Sequence, residues 1–144
     1  MYQFDEQLRE LTLHHLLHIE QHLRSILSYA FCVAFGDQQS AYLTLENYDT
    51  RRRNQRELHR LLEKFLRPLV DNPTNYPYIE HQKRVHGNVP LWVLVNALTF
   101  GTLSKMYTFS ASNVRSAVSL EFTGINEKQL GQILSFLTDF RNLC

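Results

Sequence analysis

Glu20 and Arg24 stand one helical turn apart, in a row that also holds Leu13, Leu17, Leu27 and Phe31. Two opposite charges are thereby placed within or beside an apolar surface. Burying charge is unfavourable unless it is paired and hydrogen-bonded. The two residues are therefore expected to form a structural i, i+4 ion pair or to line a polar pocket beside a site. His14, His18 and His22, with His15 next to them, recur at a spacing that can hold a metal ion on one helix face. They fall opposite the apolar surface, however, and no cysteine or second histidine pair completes a ligand set. A solvated face is the simpler reading, and no metal is expected. A third pattern is basic. Arg53, Arg56, Arg60, Lys64 and Arg67 keep positive charge mostly on one side of a helix, which can follow a phosphate backbone and makes RNA a candidate partner. Glu57 and Glu63 interrupt that stripe, so an ordinary solvated face competes with it. The chain has no phosphate-binding glycine loop, no Gly-x-Ser-x-Gly elbow and no zinc-spaced Cys/His cluster. No cofactor is expected.

The elements that must position these residues follow from hydrophobic periodicity. The chain has 144 residues, enough for one domain with its own core, and the expected organisation is a single helical domain over 1–144. Few glycines and prolines argue against a turn-rich β sandwich. A formal net charge of +1 creates no global attraction to nucleic acid or an anionic membrane, so such a partner must meet a local patch. Cys32 and Cys144 make no disulfide framework, and residues 1–6 lack the pattern of a signal peptide. A soluble, cytoplasmic protein with no membrane partner is the expectation.

The predicted class is an all-α bundle of about six helices. Leu16, Ile19, Leu23, Ile26, Ala30 and Val33 alternate by three and four along a first helix over Asp5–Phe35. The row beside them widens the apolar arc to about half the circumference, so this helix should pack against several neighbours. A loop to about Asn47 follows. A second helix over Asp49–Val70 buries Leu58, Leu61, Leu62, Phe65, Leu66 and Leu69, with a kink or fraying at Pro68. A short helix over Tyr78–Val85 comes next. Asn88 and Pro90 then set up the cap of a nearly all-apolar central helix reaching Tyr107, in which Gly101 allows close approach of another helix. A helix capped by Ser110 or Ser112 runs to Phe122. Asn126 opens the last one, with Leu130, Ile133, Leu134, Leu137 and Phe140 inward.

Three stretches together carry a family resemblance. Phe4-Asp5 with Leu8-Arg9, then Ile19-Glu20 and Leu23-Arg24-Ser25, resemble FDxxLR and IExxLRS signatures. Pro90-Leu91-Trp92, leading into Phe100-Gly101-Thr102-Leu103-Ser104-Lys105-Met106-Tyr107, is the most specific match. Phe140-Arg141-Asn142-Leu143-Cys144 looks like the start of an RNxxAH motif. The set, spread over essentially the whole chain, resembles the Abi-like family of abortive-infection phage-resistance proteins, which in turn resembles the HEPN superfamily of metal-independent ribonucleases.

The resemblance implies a HEPN-like fold and a toxin or defence protein acting on RNA. Arg141 would bind the scissile phosphate and stabilise its developing charge, and Asn142 would orient the pocket. Glu20, Arg24 and Asn96 would support that pocket, although relatives often carry an acidic residue where this chain has Asn96. The motif's histidine would relay protons near neutral pH, and it falls two positions beyond Cys144. The chain is accordingly expected to be the core of a longer protein, shortened at both ends and inactive as it stands. The partners implied are RNA, a second copy meeting through the C-terminal helix, and an antitoxin. The alternative is a non-enzymatic helical module that binds RNA or protein.

Overall fold

Every regular element in the computed structural model, which describes residues 2–143, is helical. The one exception is an isolated antiparallel bridge between Tyr48 and Ser110. The expected all-α bundle is what forms. Helix α1 (Tyr2–Phe35) is about 50 Å long at 1.5 Å per residue, and α6, α7, α8 and α9 all pack against it. Leu16, Leu23, Leu27, Ala30 and Phe31 are buried along it, and Ile19 and Ile26 are partly so. Two of the residues predicted to be inward, Leu17 and Val33, are exposed. The arc is narrower than its pattern suggests because the neighbouring helices cover only its middle.

The expected loop after α1 contains a further helix, α2 (Gln39–Leu43), and a 3₁₀ turn over Leu45–Asn47. A partner distant in sequence holds α2. The Gln39 amide donates to Asn88 Oδ1 at 2.7 Å, Asn88 Nδ2 donates to the Asp37 carbonyl at 3.0 Å, and the Val89 amide donates to Gln39 Oε1 at 3.1 Å. Asn88, expected to cap its own helix, thus caps α2 instead. Below it, the Tyr42 hydroxyl donates to the Val89 carbonyl and the Tyr48 hydroxyl to the Tyr42 carbonyl.

The predicted second helix is one helical segment with mixed geometry. A 3₁₀ turn (Arg52–Asn54) leads into α3 (Gln55–Arg60), a π-helical stretch (Leu61–Leu66) and α4 (Arg67–Asp71). Pro68 has no amide to return to the preceding turn. The chain meets it by widening, and the Arg67 amide reaches back to the Leu62 carbonyl. A π turn carries an extra residue and rotates the side chains after it. Phe65 is consequently not part of the buried side; it lies at the surface with the Arg60 guanidinium 6.0 Å from its ring centroid. Helix α5 (Pro77–His86) follows and ends on Gly87 at φ +64°.

The central helix is broken in two. Helix α6 (Leu91–Leu94) passes through a 3₁₀ turn (Val95–Ala97) to an extended Leu98, and α7 (Phe100–Phe109) begins anew. Thr99 caps α7, its Oγ1 accepting from the Thr102 amide at 3.2 Å. Gly101 lies where α9 comes closest: a Cβ there would sit 3.4 Å from Thr138 Cγ2. Helix α8 (Ser112–Ser119) is capped by neither serine; Ser110 is buried and donates to the Met106 carbonyl. In α9 (Glu127–Leu143), Asn126 and Gln129 exchange hydrogen bonds of 3.0 and 2.8 Å in a reciprocal cap. Leu130 and Leu134 are buried and Leu137 partly so, whereas Ile133 and Phe140 face outward.

One charged knot joins the segment before α3 to α8 and α9. Arg115 Nη1 donates to the Ser110 carbonyl at 2.6 Å and to Asp49 Oδ2 at 3.2 Å, and its Nε lies 3.5 Å from Glu127 Oε2. Burial alone would raise the Asp49 carboxyl, but hydrogen bonds from Arg51 and Arg115 hold it below the ordinary carboxylate range. A carboxyl depressed in the folded state stabilises the fold above its unfolded pKa of about 4 and loses that contribution as pH falls through the folded value. Asp49→Asn should therefore lower stability by about 2 kcal/mol at pH 7 and flatten the loss of stability below about pH 4. Urea unfolding across pH 2–7 reads both effects.

Candidate functional site

The break between α6 and α7 leaves the Leu98 carbonyl without a helical partner and the Val95 carbonyl with only the Leu98 amide, and Arg24 donates to both from α1. Its Nε donates to the Val95 carbonyl at 3.1 Å and its Nη2 to the Leu98 carbonyl at 3.0 Å. The same Nη2 pairs with Glu20 Oε1 at 2.8 Å, and Nη1 donates to Gln21 Oε1 at 3.4 Å. Glu20 is only 5% exposed. The sequence left open whether this pair is structural or lines a pocket, and the structure places it in both positions.

The pocket is a cleft of about 550 Å³ between α1, the Ala97–Gly101 segment and α9. Glu20 and Arg24 line it from one side, Thr138, Arg141 and Asn142 from the other. Its third wall is the start of α7. The first amides of a helix have no partner within the helix and carry the positive end of its dipole, so Phe100 and Gly101 bring anion-attracting backbone to the cleft. Arg141 Nε is shielded from solvent and has no hydrogen-bond partner among the described residues. A buried guanidinium donor left unpaired is costly, and an anionic acceptor relieves that cost once the Arg141 side chain turns Nε toward it. The cleft can thus bind an anion through a guanidinium and helix-end amides. Its lining among the described residues includes no histidine or cysteine.

The other candidates lie elsewhere. Asn96 is exposed and donates from Nδ2 to the Trp92 carbonyl at 3.3 Å; it lines an adjoining cavity with Arg24, not the cleft of Arg141. Of the basic stripe, Arg53, Arg56, Arg60 and Lys64 are exposed and Arg67 pairs with Glu63 at 3.2 Å, but none of the five lines the cleft. His14 and His18 stack edge to face at 4.7 Å, while His22 turns onto Phe122 at 5.5 Å. No group of three or more His, Cys, Asp or Glu able to hold a metal converges among the described residues. Cys32 is half-buried, and burial pushes its thiol above the ordinary range, away from the thiolate a nucleophile requires. Cys144 lies outside the described residues.

The amides at the start of α7 were not visible as site residues in an apolar run read as one continuous helix. The available signal was Thr99 followed by Thr102, a capping residue ahead of a first helical turn.

Bundle and cleft define the class: an all-α protein with a cationic, partly buried cleft formed by its longest, its central and its last helix. A family model described as Abi-like protein matches residues 1–144. The chain belongs to the Abi-like family and is an abortive-infection-type protein. No curated protein and no solved structure matches it. No helix among the described residues is long and apolar enough to cross a membrane.

Proposed function

We propose that this cleft binds an RNA phosphate and that the chain is the RNA-binding core of a HEPN-type phage-defence toxin. The observation that carries the reading is the unpaired, buried Nε of Arg141 in a cleft whose third wall is a helix N-terminus. Arg141 and the α7 amides engage phosphate oxygens, Asn142 orients the group, and the Glu20–Arg24 pair holds the wall in place. The lining offers recognition of an anion.

A second copy belongs to the same proposal. Ile133, Phe136, Phe140 and Leu143 follow one another at three- and four-residue spacing on the outer face of α9, with Phe136 66% and Leu143 80% exposed. Such a stripe suits an isologous helix pair. It also brings the two Arg141 clefts onto neighbouring helices. Sedimentation velocity should give a dimer for the wild type and a monomer for Phe136→Glu. A monomeric wild type removes the dimer from the proposal.

The experiment for the binding reading compares wild type and Arg141→Ala with a labelled single-stranded oligoribonucleotide by fluorescence anisotropy. Binding that weakens on substitution supports it, and equal affinity for both proteins overturns it.

A further inference from the structure

Beside the Arg141 cleft lies a second cavity of about 530 Å³, and Arg24 lines both. Gln21, Ser25, Ser28, Tyr29, Trp92 and Asn96 are among its walls. Two features separate it from an ordinary surface hollow. It is bounded by two aromatic rings that the core leaves out, Trp92 at 51% and Tyr29 at 74% exposure, and Trp92 is the sole tryptophan of the chain. Large aromatic side chains held at the surface next to a polar edge are the residues that stack on bases.

The polar edge is also arranged. Gln21 Oε1 is engaged by Arg24, which leaves its Nε2 donors to the solvent side. Asn96 Nδ2 is engaged by the Trp92 carbonyl, which leaves its Oδ1 as an acceptor. The cavity therefore offers two aromatic side chains together with a donor and an acceptor, a composition that suits an unpaired nucleobase. It offers no cation except Arg24, whose guanidinium is already shared among Glu20, Gln21, Val95 and Leu98. Phosphate is thus favoured on the Arg141 side of Arg24 and an uncharged flat group on the other.

We infer that the Trp92–Tyr29 cavity is a nucleobase subsite, holding the base next to the phosphate bound at Arg141, so that the chain selects single-stranded over paired RNA. This rests on the phosphate-binding reading above. A base inside a duplex has its faces covered by its neighbours and cannot enter. The juxtaposition across Arg24 supplies continuity with the phosphate cleft, and Asn96 acts here as a base-edge acceptor.

The test uses the natural reporter. Trp92 fluorescence of the full 144-residue protein is titrated with a single-stranded RNA octamer, with a duplex of the same length and with an abasic ribose-phosphate octamer. Anisotropy with the same labelled ligands is then read for wild type, Trp92→Ala, Trp92→Phe and Arg141→Ala. Quenching is expected with the single strand alone. Trp92→Ala should weaken single-strand binding about tenfold, leave abasic binding unchanged, and be rescued by Trp92→Phe. Equal affinity for the base-bearing and abasic octamers, unaltered by Trp92→Ala, overturns the base subsite while leaving phosphate binding at Arg141 intact. Loss of neither ligand on Arg141→Ala, or no RNA binding at all, overturns both. Because Trp92 is half-exposed, its replacement leaves the core intact, and an unchanged melting temperature verifies that.

Discussion

Arg24→Ala is expected to destabilise the protein by about 3 to 4 kcal/mol, the usual range for removing one partner of a buried ion pair. The substitution leaves the Glu20 carboxylate, with its side chain only 7% exposed, without its counter-charge. It also strips the donor from the Leu98 carbonyl at the point where the central helix breaks, and one of two donors from the Val95 carbonyl, which keeps the Leu98 amide. A buried acceptor left unpaired is unfavourable by about 1–3 kcal/mol, so relaxation of the α6–α7 joint is the expected escape. Replacing both partners, as in Glu20→Gln with Arg24→Met, removes the stranded charge and should recover part of the loss. Urea unfolding of the three variants measures this directly. A loss below about 1 kcal/mol for Arg24→Ala would mean that the pair behaves as an exposed surface bridge.

The second large effect is on binding. Arg141→Ala should weaken single-stranded RNA binding by about ten- to a hundredfold, which corresponds to about 1.5–3 kcal/mol for a charge-assisted hydrogen bond. Since Arg141 neutralises one phosphate, the slope of log affinity against log salt should shrink by about 0.7. Arg141→Lys separates charge from geometry. It should preserve the salt slope and still bind more weakly, because an ammonium lacks the guanidinium's planar fork. Stability should not fall, since the roughly 0.3–1 kcal/mol that a cation contributes in the last turn of α9 is offset by removal of the buried, unpaired Nε. Loss of binding from unfolding is then separable from loss of a contact.

The fold class was legible because long apolar periodicities such as Leu16 to Phe31 leave little freedom in what they form. The details that shape the cleft were harder to read. Residues 90–107 are apolar enough to look like one helix, and the break at Leu98 is supported by Arg24, more than seventy residues earlier, which donates to the Val95 and Leu98 carbonyls. The helix α2 likewise depends on Asn88 reaching across the chain. Long-range caps of this kind leave no local signature. Phe65 went astray for a related reason, since the π turn ahead of Pro68 rotates a side chain that regular periodicity places inward. Of the candidate residues, Glu20, Arg24, Arg141 and Asn142 line one cleft, Asn96 lines the next, and the basic stripe lines neither.

The separation of the cleft from the basic helix lets RNA binding be assigned to one or the other. An NMR titration of the labelled protein with a single-stranded oligoribonucleotide can follow the Arg141 Nε–H together with the Phe100 and Gly101 amides. These signals should move in concert and saturate first, as the unpaired Nε gains an acceptor and the helix end gains an anion. Perturbations confined to Arg53, Arg56, Arg60, Lys64 and Arg67, with Arg141 Nε and Gly101 unmoved, would contradict binding in the cleft and place the RNA on the basic helix instead.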